Sequence, residues 1–173
     1  NGTDLFPVLC DVAARQGASM FLLGGRPGIA DGAAQTMLVR SPDLAVAGTA
    51  DGYFGSGADE DALIERINAS GADIVLVGLG VPRQEIWITA NRNRLKAAVV
   101  IGVGGLFDYY SGRIARAPAV IRAAGMEWAW RLAMEPQRLA NRYLVGNVVF
   151  LARILSWRLK SPATFCTSTP ATR

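Results

Sequence analysis

The segment Ile74-Val75-Leu76-Val77-Gly78-Leu79-Gly80-Val81-Pro82-Arg83-Gln84-Glu85 passes from an unbroken aliphatic run, through two glycines, into a proline followed by polar residues. Consecutive aliphatics without polar alternation suit a strand covered on both faces. The glycines suit a tight turn, and Pro82 suits the first position of a helix, which the pattern extends to residue 94. The unit recurs on either side. Residues 19–23 form an apolar run closed by Gly24-Gly25 and followed by a helical pattern over 29–39. A strand over 44–47 ends before Gly48 and precedes a helix over 58–68, and an apolar run over 97–103 closes on Gly104-Gly105. Ahead of them, Leu5, Val8, Leu9, Val12 and Ala13 recur at helical spacing over residues 4–15, with Asp4 available as the cap.

Strands at this spacing with intervening helices predict an α/β fold, a Rossmann-like parallel sheet flanked by helices. The non-alternating runs Ile74-Val75-Leu76-Val77 and Val99-Val100-Ile101 are expected at mid-sheet. Beyond Pro118 the pattern becomes helix alone, over 121–130 and 137–159. Three regions follow: a Rossmann-like core over 1–117, a basic amphipathic helical appendage over 118–160, and a tail rich in Thr, Ser and Pro over 161–173, expected to be disordered. The most apolar part of the appendage, 143–157, is interrupted by Asn147 and Arg153. It suits a membrane surface or a partner better than a span of the bilayer.

The 173 residues contain no histidine, which removes histidine bases, Ser-His-Asp triads and histidine-containing metal sites. Two cysteines, Cys10 and Cys166, supply neither a disulfide framework nor a paired zinc spacing, and a reducing cytoplasm is expected. Chemistry therefore falls to carboxylates, arginines and backbone. The net charge of +4 is uneven: up to Gly112 there are eight Lys/Arg against twelve Asp/Glu, and after it ten against two. A basic C-terminal segment on an acidic body suits phosphate, in a substrate or on a membrane. Nucleic acid is not expected, because Trp128, Trp130 and Tyr143 fall at helical spacing, as core or membrane contacts do.

Ligands of an open parallel sheet bind at the carboxyl ends of its strands, where the glycine turns lie. No G-x-G-x-x-G or Walker loop occupies its proper place. Gln84 and Glu85 fall in a first helical turn beside a strand end. Asp108, just past the last core strand, is able to accept hydrogen bonds from ribose hydroxyls or a base N–H. Arg113, Arg116, Arg131 and Arg138 follow as a train of guanidinium groups suited to diphosphate recognition.

Phe21-Leu22-Leu23-Gly24-Gly25, Gly52-Tyr53-Phe54, Pro82 with Gln84-Glu85, the run from Gly102 to Asp108, Arg116-Ala117-Pro118 and Gly125-Met126-Glu127-Trp128 together resemble the WecG/TagA/CpsF glycosyltransferase family, from about residue 2 to about 155. The resemblance implies a UDP-sugar donor, a polyprenyl-diphosphate-linked saccharide acceptor, inversion at the anomeric carbon, no metal or other cofactor, and a role in surface or exopolysaccharide synthesis. It also implies a homo-oligomer, a trimer, attached peripherally to the inner face of the bacterial cell membrane. Residue by residue, Gln84 would contact the sugar or acceptor and Asp108 the nucleoside, while Arg131 and Arg138 would reach the diphosphate. Gly24, Gly25, Tyr53, Gly80, Gly104, Gly105, Arg113 and Arg116 complete the substrate-binding set. Arg142 is the substitute for a further family arginine that falls at Asn141. The general base of the resembled family is an aspartate upstream of the stretch matching Gly2-Thr3-Asp4, with a Thr/Asn motif earlier still. Neither is in this sequence, so the chain reads as N-terminally truncated, and the alternative is a catalytically inactive nucleotide-binding fragment.

Overall fold

Four parallel strands, β1 (Ser19–Gly24), β2 (Ala45–Ala50), β3 (Ile74–Gly78) and β4 (Val99–Gly102), form one sheet in the order β2-β1-β3-β4. They belong to a computed structural model that describes residues 2–136 together with Leu139, Phe150, Ile154 and Ser156. Five helices accompany the sheet: α1 (Gly2–Gln16), α2 (Ile29–Arg40), α3 (Ala58–Ala69), α4 (Arg83–Asn91) and α5 (Leu106–Tyr110). The chain divides into two compact units, Asn1–Arg116 and Ala117–Arg173. The sheet belongs to the first.

The pleat sends alternate side chains of β1 and β3 to opposite faces. On one face Met20, Leu22 and Leu76 join Phe6 and Cys10 of α1, Ala33 and Met37 of α2, and Phe107 of α5. On the other, Phe21, Leu23, Val75 and Val77 meet Leu63, Ile64 and Ile67 of α3 and Trp87 of α4. Both faces are covered, so β1 and β3 read as continuous apolar runs. Burial among these side chains pushes the Cys10 thiol up to about 12, with the neighbouring Asp11 carboxylate adding to the effect, and makes it a packing group with no thiolate chemistry near neutral pH.

β3 occupies the interior position expected of it, whereas β4 is bordered on one side only among the described residues, and Val99 is exposed. The second interior strand is β1. The strand expected over 44–47 instead runs through Gly48 to Ala50. A side chain at Gly48 would collide with the Phe21 ring, so the glycine marks a close approach inside the strand, next to a register irregularity at Met20/Phe21. Asp4 lies within the first turn of α1 rather than capping it. Pro82 is the N-cap of α4, one position before the first helical residue, and α4 ends at Asn91, short of residue 94.

In the second unit, the helix expected over 121–130 is two shorter ones, α6 (Ala119–Ala123) and α7 (Glu127–Met134). Gly125, at φ 70, turns the chain into left-handed backbone between them. Along α7, Trp128 and Met134 are exposed, and Arg131 pairs with Glu135 at 4.0 Å. Beyond residue 136 the appendage is described only at Leu139, Phe150, Ile154 and Ser156, and the tail beyond 160 lies outside the described residues. Among the described residues, no helix is long and apolar enough to cross a membrane.

The amino ends of β1 and β3 are pinned by one carboxylate. Asp73 Oδ2 accepts from the Ser19 backbone N–H at 2.8 Å and from the Ser19 hydroxyl at 2.9 Å, and the Asp73 N–H donates back to the Ser19 carbonyl at 3.1 Å. These bonds, the backbone one first, hold the Asp73 carboxyl below the usual carboxylate range. A depressed folded-state pKa contributes stability that is complete above the unfolded value of about 4 and is lost as pH falls through the lower folded value. Asp73→Ala therefore lowers the thermal midpoint at pH 7, and the gap between wild type and variant closes in the acid range below pH 4. Parallel melts by circular dichroism across that range check both parts.

Candidate functional site

Helices leave β1 and β3 toward opposite faces of the sheet, α2 with the cluster around Met20 and α4 with the cluster around Phe21. Their chain paths diverge in opposite directions, to β2 on one side and β4 on the other. This divergence is the topological switch point, where an open α/β sheet forms a crevice at the carboxyl ends of its strands. Two glycines meet there. A Cβ on Gly24, at φ 142, would be driven into the Gly78 backbone, and one on Gly78 would come 2.8 Å from the Phe107 ring. The Gly25 N–H donates to the Gly78 carbonyl at 3.2 Å, and the Gly52 N–H donates to the Gly25 carbonyl at 2.8 Å. The loops after β1, β2 and β3 are thereby tied backbone to backbone.

The loop after β4 is joined by a side chain. Gln84, in the first turn of α4, is buried; its Oε1 accepts from the Gly104 N–H at 2.8 Å and its Nε2 donates to Glu85 Oε1 at 2.8 Å. A Cβ on Gly102 would come 2.9 Å from Gln84 Nε2, so glycine is what lets the amide lie against that strand end. Gln84, expected to touch sugar or acceptor, thus also braces the glycine turn at 104–105, and Gly105 caps α5.

Gly24 ends β1, Gly25, Gly80, Gly104 and Gly105 fall on the loops after β1, β3 and β4, and Gln84 lies in the helical turn that follows β3. Asp108 and Arg113 form a separate pair: Asp108 is buried on α5, and Arg113 Nη1 donates to its Oδ1 at 2.7 Å. Arg116 is ion-paired with Asp4 at the start of α1. Two guanidinium groups expected to face phosphate are therefore engaged by carboxylates of the same unit. Arg131 belongs to the second unit, and Arg138 and Arg142 lie outside the described residues.

Tyr53 is exposed beside a cleft of about 450 Å³ at the carboxyl end of β2, which Asp31, Thr49, Asp51, Phe54 and Arg66 also line. Here Thr49 donates to Asp31, Arg66 donates to the Thr49 carbonyl, and Asp51 Oδ1 accepts from the Tyr53 N–H at 2.8 Å. Carboxylates and an aromatic ring around a ligand-sized hollow suit a hydroxylated, flat-faced group. Sequence reasoning picked out Tyr53 alone from this cleft. The available signal was a polar cluster, Thr49 to Asp51, directly after an edge strand, and it becomes informative only once α2 and α3 are known to flank it. Among the described residues, no group of three or more His, Cys, Asp or Glu is placed to hold a metal ion.

The model of the glycosyl transferase WecG/TagA/CpsF family matches residues 1–164. The chain belongs to that family. Within that fold Gln84 fastens the turn after β4 to the first turn of α4.

Removing that brace gives a clean expectation. Gln84→Ala leaves the Gly104 N–H without its partner and costs about 1–2 kcal/mol of stability. Hydrogen exchange at residues 103–106 accelerates in the variant, while exchange in β1 keeps its order of protection. Unchanged exchange at Gly104 would show that the amide does not hold the turn.

Proposed function

We propose that this protein transfers a hexosyl unit from a UDP-sugar to a polyprenyl-diphosphate-linked saccharide, with inversion, in bacterial surface or exopolysaccharide synthesis. The reading rests on the family membership over residues 1–164 together with the carboxyl-edge loops at the switch point, where Gly80 leaves open space beside the backbone. In this reading the donor lies along the carboxyl edge and Asp108 accepts a hydrogen bond from the nucleoside, its orientation held by Arg113. Gln84 and the turn it braces face the transferred sugar, and arginines of the second unit stabilise the departing UDP by bidentate hydrogen bonds. Charge on the leaving group is met by guanidinium groups, so the reaction proceeds without a metal.

An inverting transfer needs a base to deprotonate the acceptor hydroxyl, and an aspartate is the residue type that the family resemblance implies for it. The second unit, with Trp128 and Met134 exposed on α7, is the element that meets the inner face of the cell membrane, and the acceptor's prenyl chain keeps the reaction at that surface. Homo-oligomerisation, as a trimer, belongs to the same reading.

Binding rather than turnover tests the donor assignment. Calorimetric titration gives selective UDP affinity over ADP, and Asp108→Asn weakens UDP by about tenfold, the equivalent of one charge-assisted hydrogen bond. Equal affinity for UDP and ADP would remove the uridine assignment, and an unaffected Asp108→Asn would remove the nucleoside contact.

A further inference from the structure

Arg113 and Arg116, the core arginines expected to meet phosphate, are paired with Asp108 and Asp4. Two other arginines stand on the loops that diverge at the switch point. Arg26 follows Gly24-Gly25 directly at the end of β1, and Arg83 opens α4 after β3. Both are exposed, and among the described residues neither has a carboxylate or carbonyl hydrogen-bond partner. Of the other exposed arginines of the unit, Arg40 pairs with Asp11, Arg94 with Asp61 and Arg66 donates to the Thr49 carbonyl, while Arg15 and Arg92 stand at the C-terminal ends of α1 and α4 rather than on these loops.

Arg83 is also held in place. Its guanidinium carbon lies 5.2 Å from the centroid of the Phe54 ring, and Phe54 in turn packs edge-on against Trp87, one helical turn along α4 from Arg83. Stacking of this kind fixes a guanidinium plane without consuming its N–H donors. The loop after β2 links the two arginines physically. Gly52 donates to the carbonyl of Gly25, the residue before Arg26, and two residues further on Phe54 lies under Arg83. The pair thus stands on two loops joined through Gly25 and Gly52, and Gly80, just ahead of Arg83, has open space where a side chain would be.

From this arrangement we infer that Arg26 and Arg83 form a two-arm clamp for a diphosphate in the crevice, with Phe54 setting the Arg83 arm. The inference deepens the proposed function and rests on it for the identity of the ligand. Two forked donors on neighbouring loops suit the bidentate geometry of phosphoryl oxygens, and the open backbone at Gly80 lets an anion approach. A diphosphate reaches this site either on the donor nucleotide or on the prenyl-linked acceptor, so both are tested.

The experiment titrates the full chain with UDP, uridine and geranyl diphosphate, for wild type, Arg26→Gln, Arg83→Gln, Arg83→Lys and Phe54→Leu. Each arginine-to-glutamine change weakens the diphosphate ligand by about tenfold and leaves uridine unchanged. Arg83→Lys gives a smaller loss, because charge survives and the fork does not. Phe54→Leu weakens the diphosphate ligand in the same direction as Arg83→Gln but less. Loss confined to UDP assigns the clamp to the donor, and loss confined to geranyl diphosphate assigns it to the acceptor. An unchanged ratio of UDP to uridine affinity, together with unchanged geranyl diphosphate affinity, overturns the clamp alone. Absence of both UDP and uridine binding in wild type overturns the donor assignment and the inference drawn from it. Both arginines are on the surface, so the variants keep the wild-type melting midpoint, and a shifted midpoint in Arg26→Gln or Arg83→Gln counts against a binding role.

Discussion

The backbone of Gly24 lies against that of Gly78, and much of the first unit is arranged to permit this contact. A Cβ on Gly24 would overlap Gly78 backbone atoms, and φ 142 is itself a conformation that side-chain-bearing residues avoid. The contact closes the top of the β1–β3 pair, as the Asp73 carboxylate closes its bottom through Ser19. Between those two closures, Met20 to Leu23 and Val75 to Val77 are fully buried. Strand register, the alternation of core side chains and the position of the crevice follow from the same pair of strands. Packing here and binding geometry are one constraint, because any side chain that filled the turn would both separate the strands and close the crevice.

That coupling explains which parts of the fold were legible in the sequence. β1 and β3 announce themselves because both faces are covered and the runs Met20 to Leu23 and Ile74 to Val77 are apolar throughout. Val99-Val100-Ile101 carries the same composition, yet β4 is bordered by one strand among the described residues and leaves Val99 exposed. A run of three aliphatics does not encode how many neighbours it will have. Gly48 read as a stop for β2 because glycine usually punctuates, but its cause is the Phe21 ring lying across it, a contact between residues far apart in the chain. Gly125 was the opposite case: a glycine within an apparently continuous helix does break it.

At the site, residue types were readable and their commitments were not. The motif around Gln84 marked it as special, but only the fold reveals that its carbonyl oxygen is spent on Gly104, twenty residues on. Arg116 and Asp4 are 112 residues apart and neutralise each other. A count of arginines near a strand end therefore overstates the positive charge available to a ligand. The relevant quantity is the set of guanidinium groups left with unused donors, and that set includes Arg26 and Arg83, which an inventory starting from the basic C-terminal half passes over.

The start of α1 extends the same logic. The Tyr110 hydroxyl donates to the Thr3 carbonyl, Arg116 pairs with Asp4, and Phe6 packs edge-on against both Phe107 and Tyr110. α1 returns to β1 through Gly17 and Ala18, at the amino end of the sheet, so its first turn lies at the carboxyl end, beside α5. A helix of 15 residues is about 22 Å long, close to the span of a six-residue strand plus its turn. The polypeptide therefore enters the core at the same edge as the glycine crevice, next to the helix that carries Asp108. Partial burial raises the Tyr110 phenol above its ordinary value, which is already well above neutrality, so the hydroxyl stays protonated and donates to the Thr3 carbonyl at neutral pH.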